Sequence, residues 1–396
     1  LKRQPIAFAD WSGREYTAIA RCLLSGRVHQ GPHPALLRER LAQMYAPSAV
    51  HLTNYGHHAI DIALGIFKRQ RPERVEVIVP AYICPSVIQT VEACGLRVRS
   101  VDVQDDLNMS PADVKAALGA DTLAVIAPHM YGCPSRMGEI EALCDLANVF
   151  LIDDAAQVVG VRQDGRLLGT FGDAGLISFA QSKTIVTGIR GSGGVLLVNR
   201  PTWAEQANQA CAALPPASGR LGPLADFLWN HVGHVHTGHS GYYLGRALAV
   251  LGRSPVAHQR ATQISHLEAG LALAQLSRLD ALLLEKVRIA QAYHQALQAY
   301  PLLRFPQFAP GRFLARVMLL LPEGTDLEGV RREARSRGLE TRTGYAAHVA
   351  PGAEAPKAQA MAKRLLGVPC RPGMSQSDVE GICAVLDVAL TTNSRS

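Results

Sequence analysis

Short apolar runs rich in β-branched residues alternate with helix-like stretches through the first half of the chain, the pattern of an α/β fold built around a mostly parallel sheet. Seven runs read as strands, at residues 50–54, 75–81, 97–103, 122–129, 149–153, 174–179 and 193–198. Between the first two, Ile60, Ala63, Leu64 and Phe67 recur at the spacing of one helix face. The second half changes character. Residues from about 265 to 300 read as one long amphipathic connecting helix; a strand at 315–321 and helices at about 326–337 and 375–390 then outline a small α/β unit. The expected organisation is a large domain with its N-terminal segment over 1–262, the connecting helix over 263–300 and a small C-terminal domain over 301–396. The stretch 201–262 carries Trp203, Phe227, Trp229, Tyr242 and Tyr243 among Gly, Pro and His, which suggests a buried or interface segment. The first five residues and the tail after Leu390 are expected to fray.

A chain of 396 residues is long enough for a large and a smaller core, and 48% hydrophobic against 18% charged residues places it among globular proteins. The net charge of +7 would allow nucleic-acid binding, but the arginines are scattered and no recognition motif accompanies them, so no nucleic-acid partner is expected. No apolar run reaches the ~18 residues of a transmembrane helix, and no membrane partner is expected. Eight cysteines without a CxxC pair, and no secretory signal, imply reduced thiols and a cytoplasmic location. The segment 231–239 holds four histidines without acidic or cysteine companions; no metal is expected there.

Only seven lysines are present, so one in an apolar, strand-rich setting stands out. In VFLIDDAAQ a buried-looking strand runs into Asp153 and Asp154, where α/β sheets place their sites; a helix N-cap is the plainer alternative. Further on, GDAGLISFAQSK delivers Ser178 and Lys183 from another strand end. A partly desolvated lysine is a nucleophile toward an aldehyde, and an aspartate opposite it can keep a pyridinium protonated. In TNYGHHA, Gly56 opens a helix whose N–H groups could hold a phosphate with help from Ser178, although a glycine before a helix is more often structural.

In order and wording these pieces resemble the DegT/DnrJ/EryC1/StrS family of pyridoxal-phosphate (sugar) aminotransferases, over nearly the whole chain. The resemblance rests on LLSGRVHQGP, YGHHAI, VPAYICPSV, SVDVQDDLNMSP, PHMYGCPSRM, LIDDAAQVVG, SFAQSKTIVTGIRGSGG and the closing LLGVPCRPGMSQSDVEGICAVL. It implies the aspartate-aminotransferase fold, fold type I of pyridoxal-phosphate enzymes, with a seven-stranded mostly parallel sheet and a small C-terminal α/β domain. Lys183 would be the Schiff-base lysine and proton shuttle, Asp154 the partner of the ring nitrogen, and Gln157 a neighbour of the ring hydroxyl. Ser178 and the backbone of Gly56, His57 and His58 would bind the phosphate of pyridoxal 5′-phosphate. The family's ring-stacking aromatic falls on Cys84, which makes Tyr82 the substitute.

Other departures bear on substrate. Ala261 stands where the family often has an asparagine that reaches the neighbouring subunit, and GIRGSGG replaces an acidic motif, marks of an outlying branch. The implied reaction moves an amino group from glutamate or glutamine to a keto-sugar, nucleotide-linked, or a similar polyol ketone. The implied assembly is a homodimer. Arg190 or Arg342 could meet a substrate anion, and His231, His234, His236 and Tyr345 are pocket or interface candidates. Two alternatives stay open: another pyridoxal-phosphate reaction on the same fold, such as the dehydration for which relatives replace the lysine with histidine, or a non-catalytic ligand-binding member.

Overall fold

The computed structural model describes residues 3–6, 11–180, 183–187, 193–228, 260–306 and 312–393. All seven expected strands form and join one sheet. They are β1 (Ala49–Thr53), β2 (Glu76–Pro80), β3 (Arg97–Val101), β4 (Thr122–Pro128), β5 (Phe150–Asp154), β6 (Ala174–Ser178) and β7 (Gly194–Val198), in the order β1-β7-β6-β5-β4-β2-β3. Pairing is parallel from β3 through β6, and β7 runs antiparallel to both β6 and β1. Every residue of β4, β5, β6 and β7 is buried, which explains why they read as continuous apolar runs rather than alternating ones.

The helix Gly56–Gln70 buries Ile60, Ala63, Leu64 and Phe67, the face that the periodicity picked out. Phe67 stacks on Phe150 at 4.1 Å and meets the buried Trp203 edge-on at 5.3 Å. The aromatic stretch 201–262 therefore contributes to the core through Trp203, while Trp229, Tyr242 and Tyr243 lie outside the described residues.

A second sheet is C-terminal: β8 (Val317–Leu320), β9 (Arg342–Thr343) and β10 (Leu365–Val368), antiparallel in the order β8-β10-β9. The helices Leu327–Ser336 and Gln376–Asn393 pack around it and share its core with Tyr82 and Tyr131 from the main-sheet side.

Three expectations are corrected. The long connector is two helices, His266–Leu276 and Leu279–Ala296. The Ser277 hydroxyl turns back to the Ala274 carbonyl (2.7 Å) and Arg278 leaves helical geometry to pair with Glu15 (3.2 Å), a break that apolar spacing does not reveal. Residues 3–6, within the segment expected to fray, attach to the C-terminal unit: the Gln4 N–H donates to the Gly338 carbonyl (2.9 Å), and the Glu340 N–H donates to the Gln4 carbonyl (3.1 Å). The last helix continues to Asn393, where the Thr392 and Asn393 side chains bond back to the Val388 and Ala389 carbonyls one turn earlier (2.9 and 2.7 Å).

Among the described residues no helix is long and apolar enough to cross a membrane. All eight cysteines are free thiols.

Candidate active site

The site forms where β4, β5 and β6 end side by side. Pro128 of β4 lies opposite Asp154 of β5, and Asp154 opposite Leu176 of β6, so His129, Asp154 and Ser178 emerge from neighbouring strands at one edge of the sheet.

The two consecutive carboxylates have different tasks. Asp153 is fully enclosed: its Oδ2 accepts from the Gly169 and Phe171 N–H groups (2.6 and 3.1 Å) and its Oδ1 from His129 Nε2 (2.7 Å). The Ser135 N–H donates to His129 Nδ1 (3.0 Å), which puts the imidazole proton on Nε2 and aims it at Asp153. Asp153 is therefore a structural clamp. Asp154 is also buried, but only Oδ1 takes a backbone donor, Ala156 N–H at 3.1 Å. Burial raises its pKa, against the pull of Lys183, the Ala156 N–H and His129.

Lys183 begins a loop held on both sides. Its N–H donates to the Ala180 carbonyl (3.2 Å), the Thr184 hydroxyl to the Gln157 carbonyl (3.0 Å), and Gln275 clasps both the N–H and the carbonyl of Val186 (2.9 and 2.8 Å). Burial lowers the pKa of its ammonium; the Cys84 sulfur and the Asp154 carboxylate push it back up, while Arg316 pushes it further down. Lys183 and Asp154 thus sense one another inside the protein. Gln157, three residues after Asp154, keeps its amide oxygen buried without a partner. A buried polar atom left unpaired costs about 1–3 kcal/mol, which a ligand hydroxyl would relieve.

The helix Gly56–Gln70 starts without a side-chain cap. A methyl group on Gly56 would sit 3.1 Å from Ser178 Cβ and 3.3 Å from its Oγ, and one on Gly194 would strike the Tyr55 carbonyl at 2.3 Å. Gly194 must be glycine for the helix start to lie here, while at Gly56 a side chain would press on Ser178, which would have to give by a few tenths of an ångström. The His58 N–H donates to the Tyr55 carbonyl (3.2 Å), and its ring Nδ1 lies 2.7 Å from Asn54 Oδ1. Asn54 also holds Arg260 and Thr262 through its side chain (3.1 and 3.0 Å), which fixes Ala261 beside this helix start.

The geometry suits pyridoxal phosphate. The glycine-lined cradle at Ser178, the orphaned Gln157 atom and the buried Asp154–Lys183 pair offer a place for a phosphate, a ring hydroxyl, a ring nitrogen and an aldehyde in turn.

Tyr82 is fully buried against Tyr131 and Tyr345, its hydroxyl 2.7 Å from that of Tyr131 and accepting from the Tyr345 N–H (3.0 Å). Cys84 of the same loop, its sulfur 3.2 Å from Ser86 Oγ, is the one coupled to Lys183. Arg342 and Tyr345 face the crevice electrostatically, since Tyr345 responds to Arg316, Cys84, Asp154 and Arg342. Arg190, His231, His234 and His236 lie outside the described residues.

Sequence reasoning passed over His129, Asn54 and Arg316. The first two sit at strand ends inside PHMYG and TNYGHHA, so reading every strand end for polar residues would have found them. Arg316 had no local signal.

A group of potential metal ligands lies apart, at Cys22, His33 and His266. Its rings are stacked 3.8 Å apart and already committed: the His33 N–H donates to His266 Nδ1 and His33 Nδ1 donates to the His266 carbonyl, both at 3.1 Å. With Nδ1 accepting, His266 carries its proton on Nε2, which leaves no lone pair there for a metal.

The profile of the DegT/DnrJ/EryC1/StrS aminotransferase family matches residues 10–387. Among solved structures, Helicobacter pylori PseC, an aminotransferase of pseudoaminic acid biosynthesis, superposes with a TM-score of 0.80 at 15% identity, over 99% of this chain and 100% of its own. A sugar aminotransferase from Micromonospora echinospora gives 0.73 at 21% identity over 97% and 99%. GDP-4-keto-6-deoxymannose-3-dehydratase gives 0.75 at 17% identity over 97% and 100%. At these identities the likeness carries the fold.

Proposed function

The chain belongs to the DegT/DnrJ/EryC1/StrS aminotransferase family, and from that premise we propose that it binds pyridoxal 5′-phosphate between Asp154 and Lys183. There it moves an amino group from glutamate or glutamine to a keto-sugar, nucleotide-linked, or to a similar polyol ketone. The same reading makes it a cytoplasmic homodimer acting on small molecules. The observation that carries it is the burial of Asp154 at the end of β5 and of Lys183 in the loop after β6, each charge acting on the pKa of the other.

In this reading Ser178 and the start of the helix at Gly56 hold the phosphate, and Gln157 meets the ring hydroxyl. Asp154 keeps a proton on the ring nitrogen; a cationic partner there offsets the burial that otherwise raises its pKa. The bound cofactor supplies an aldehyde that condenses with amines and a ring that accepts electrons from the adjoining carbon. Lys183 Nζ would take the proton from the donor's α-carbon and return it on the cofactor side; burial lowers its pKa, which favours the neutral amine able to accept that proton. Cys84, rather than an aromatic ring, borders this lysine, so ring stacking from that loop is weak.

The test is the visible absorption spectrum of the protein with pyridoxal phosphate, before and after glutamate or glutamine, beside Lys183→Ala. A band that needs Lys183 and bleaches with a donor is the expected result. A protein that takes up no cofactor would sink the enzyme reading, and a band that ignores both donors would point to other chemistry on the same fold.

A further inference from the structure

β1 is an outer strand of the main sheet, paired on one side only, with β7. Two helices bracket it. His33–Tyr45 packs Leu37 and Leu41 with Val50 and Leu52 on one face, and Ala204–Ala212 lies against the other, the face that strand alternation gives to Ala49 and His51. Along this edge the structure leaves a cavity of about 410 Å³. Arg38, His51, Asn208, Cys211 and Gln263 form its polar wall, and the rest is apolar. Among the described residues the wall carries no carboxylate and shares no residue with the Asp154–Lys183 crevice.

Two groups converge on the cavity with hydrogen-bonding capacity to spare. His51 is only 8% exposed, yet its Nε2 has no partner, and a buried polar atom left so costs about 1–3 kcal/mol. Arg38 is exposed and makes no hydrogen bond or ion pair with another described residue. Its charge nonetheless reaches inward. Burial and then Arg38 lower the pKa of His51 to about 4, and burial raises that of the Cys211 thiol to about 11 against the pull of the same guanidinium. The neighbouring amides are already committed: Asn208 donates to Glu205 Oε2 (3.5 Å) and Gln263 to the Leu214 carbonyl (3.1 Å).

We propose that this cavity binds a small phosphate monoester, its phosphate between the Arg38 guanidinium and the His51 imidazole and its organic part along the apolar wall. The guanidinium fork matches two phosphate oxygens, and an imidazole N–H serves a third. The volume suits a compact ester and exceeds what a lone phosphate fills. A dianion bound here offsets the charge of Arg38 and sets its own opposite charge beside His51, so the imidazole takes up a proton on binding and affinity rises as pH falls. The ionisable groups facing His51 are Arg38 from one helix and Cys211 from the other; the first stays charged and the second neutral across that change. The site needs neither Lys183 nor a cofactor.

Glycerol phosphate is the probe, titrated by calorimetry into wild type, R38Q and H51Q. Each protein is first loaded with pyridoxal phosphate, so that the cradle at Ser178 is filled, and freed of the excess. R38Q, a change at an exposed position, should bind the ester about 10- to 100-fold more weakly, the range set by hydrogen bonds to a charged group. The comparison with R38Q locates the binding even if the protein takes up no cofactor. Sulfate, a dianion from about pH 5 to 8, reads the proton: the wild type should bind it more tightly toward the acid end, and H51Q equally throughout. No binding of glycerol phosphate by the wild type, or equal affinity in R38Q, overturns the site. Sulfate bound through Arg38 with glycerol phosphate excluded overturns the assignment of an ester.

Discussion

The main sheet and the C-terminal sheet face the same lysine and handle charge in opposite ways. On the main sheet the acid nearest the framework, Asp153, is consumed by three donors from His129, Gly169 and Phe171. On the C-terminal sheet Arg316 and Arg342 are set near one another, and burial together with the charge of Arg316 lowers the pKa of Arg342. One side spends its polar groups on holding the fold. The other brings like charges together at the wall of the cavity that Lys183 also lines.

That contrast can be broken first at the paired aspartates. Asp153→Ala strands His129 and two buried N–H groups and should cost about 3–5 kcal/mol in urea unfolding of the cofactor-free protein at pH 7. Asp154→Ala should cost under about 1 kcal/mol or even stabilise, because burial of its carboxylate outweighs the pull of Lys183 in the cofactor-free protein. Equal losses for the two would abolish the division between framework and site.

A smaller effect is expected at the hinge between the sheets. Gly132→Ala places a side chain against the Ala315 and Phe313 backbone at a positive φ, and about 1–3 kcal/mol should be lost. Full stability in urea unfolding would show that the close approach at Gly132 does not hold the two segments together.

The smallest effect concerns acid. His51 on β1 keeps Nε2 buried without a partner, and burial, aided by the charge of Arg38, lowers its pKa from 6.5 to about 4. The folded protein therefore binds this proton less readily than the unfolded chain. Its contribution to stability is present above pH 6.5 and is lost as pH falls toward 4. His51→Gln should flatten the fall in unfolding free energy across that window by one proton's worth of slope; an unchanged slope would assign acid sensitivity elsewhere.

Much of this was written locally. The seven strands could be read because strands buried on both faces leave unbroken apolar runs, and Asp154 and Lys183 because charged residues directly after such runs are conspicuous. Tyr82 shows the limit: the loop sequence marks an aromatic residue near the ring slot, but which face of the loop it occupies depends on Tyr131 and Tyr345, residues far along the chain. The connector shows another, since Arg278 leaves the helix for Glu15, a partner that no periodicity encodes.

By itself the sequence determined the sheet's membership, the helix that opens at Gly56 and the residue types at the strand ends, because these depend on hydrophobic periodicity and backbone preference over a few residues. The tertiary structure alone decided which aspartate is clamped through both oxygens and which takes a single backbone donor, that His129 and Asn54 brace the strand ends, and that Arg316 lines the same cavity as Lys183. Those outcomes depend on burial, hydrogen-bond partners and charge between segments up to hundreds of residues apart, and such distances exist only once the chain has folded.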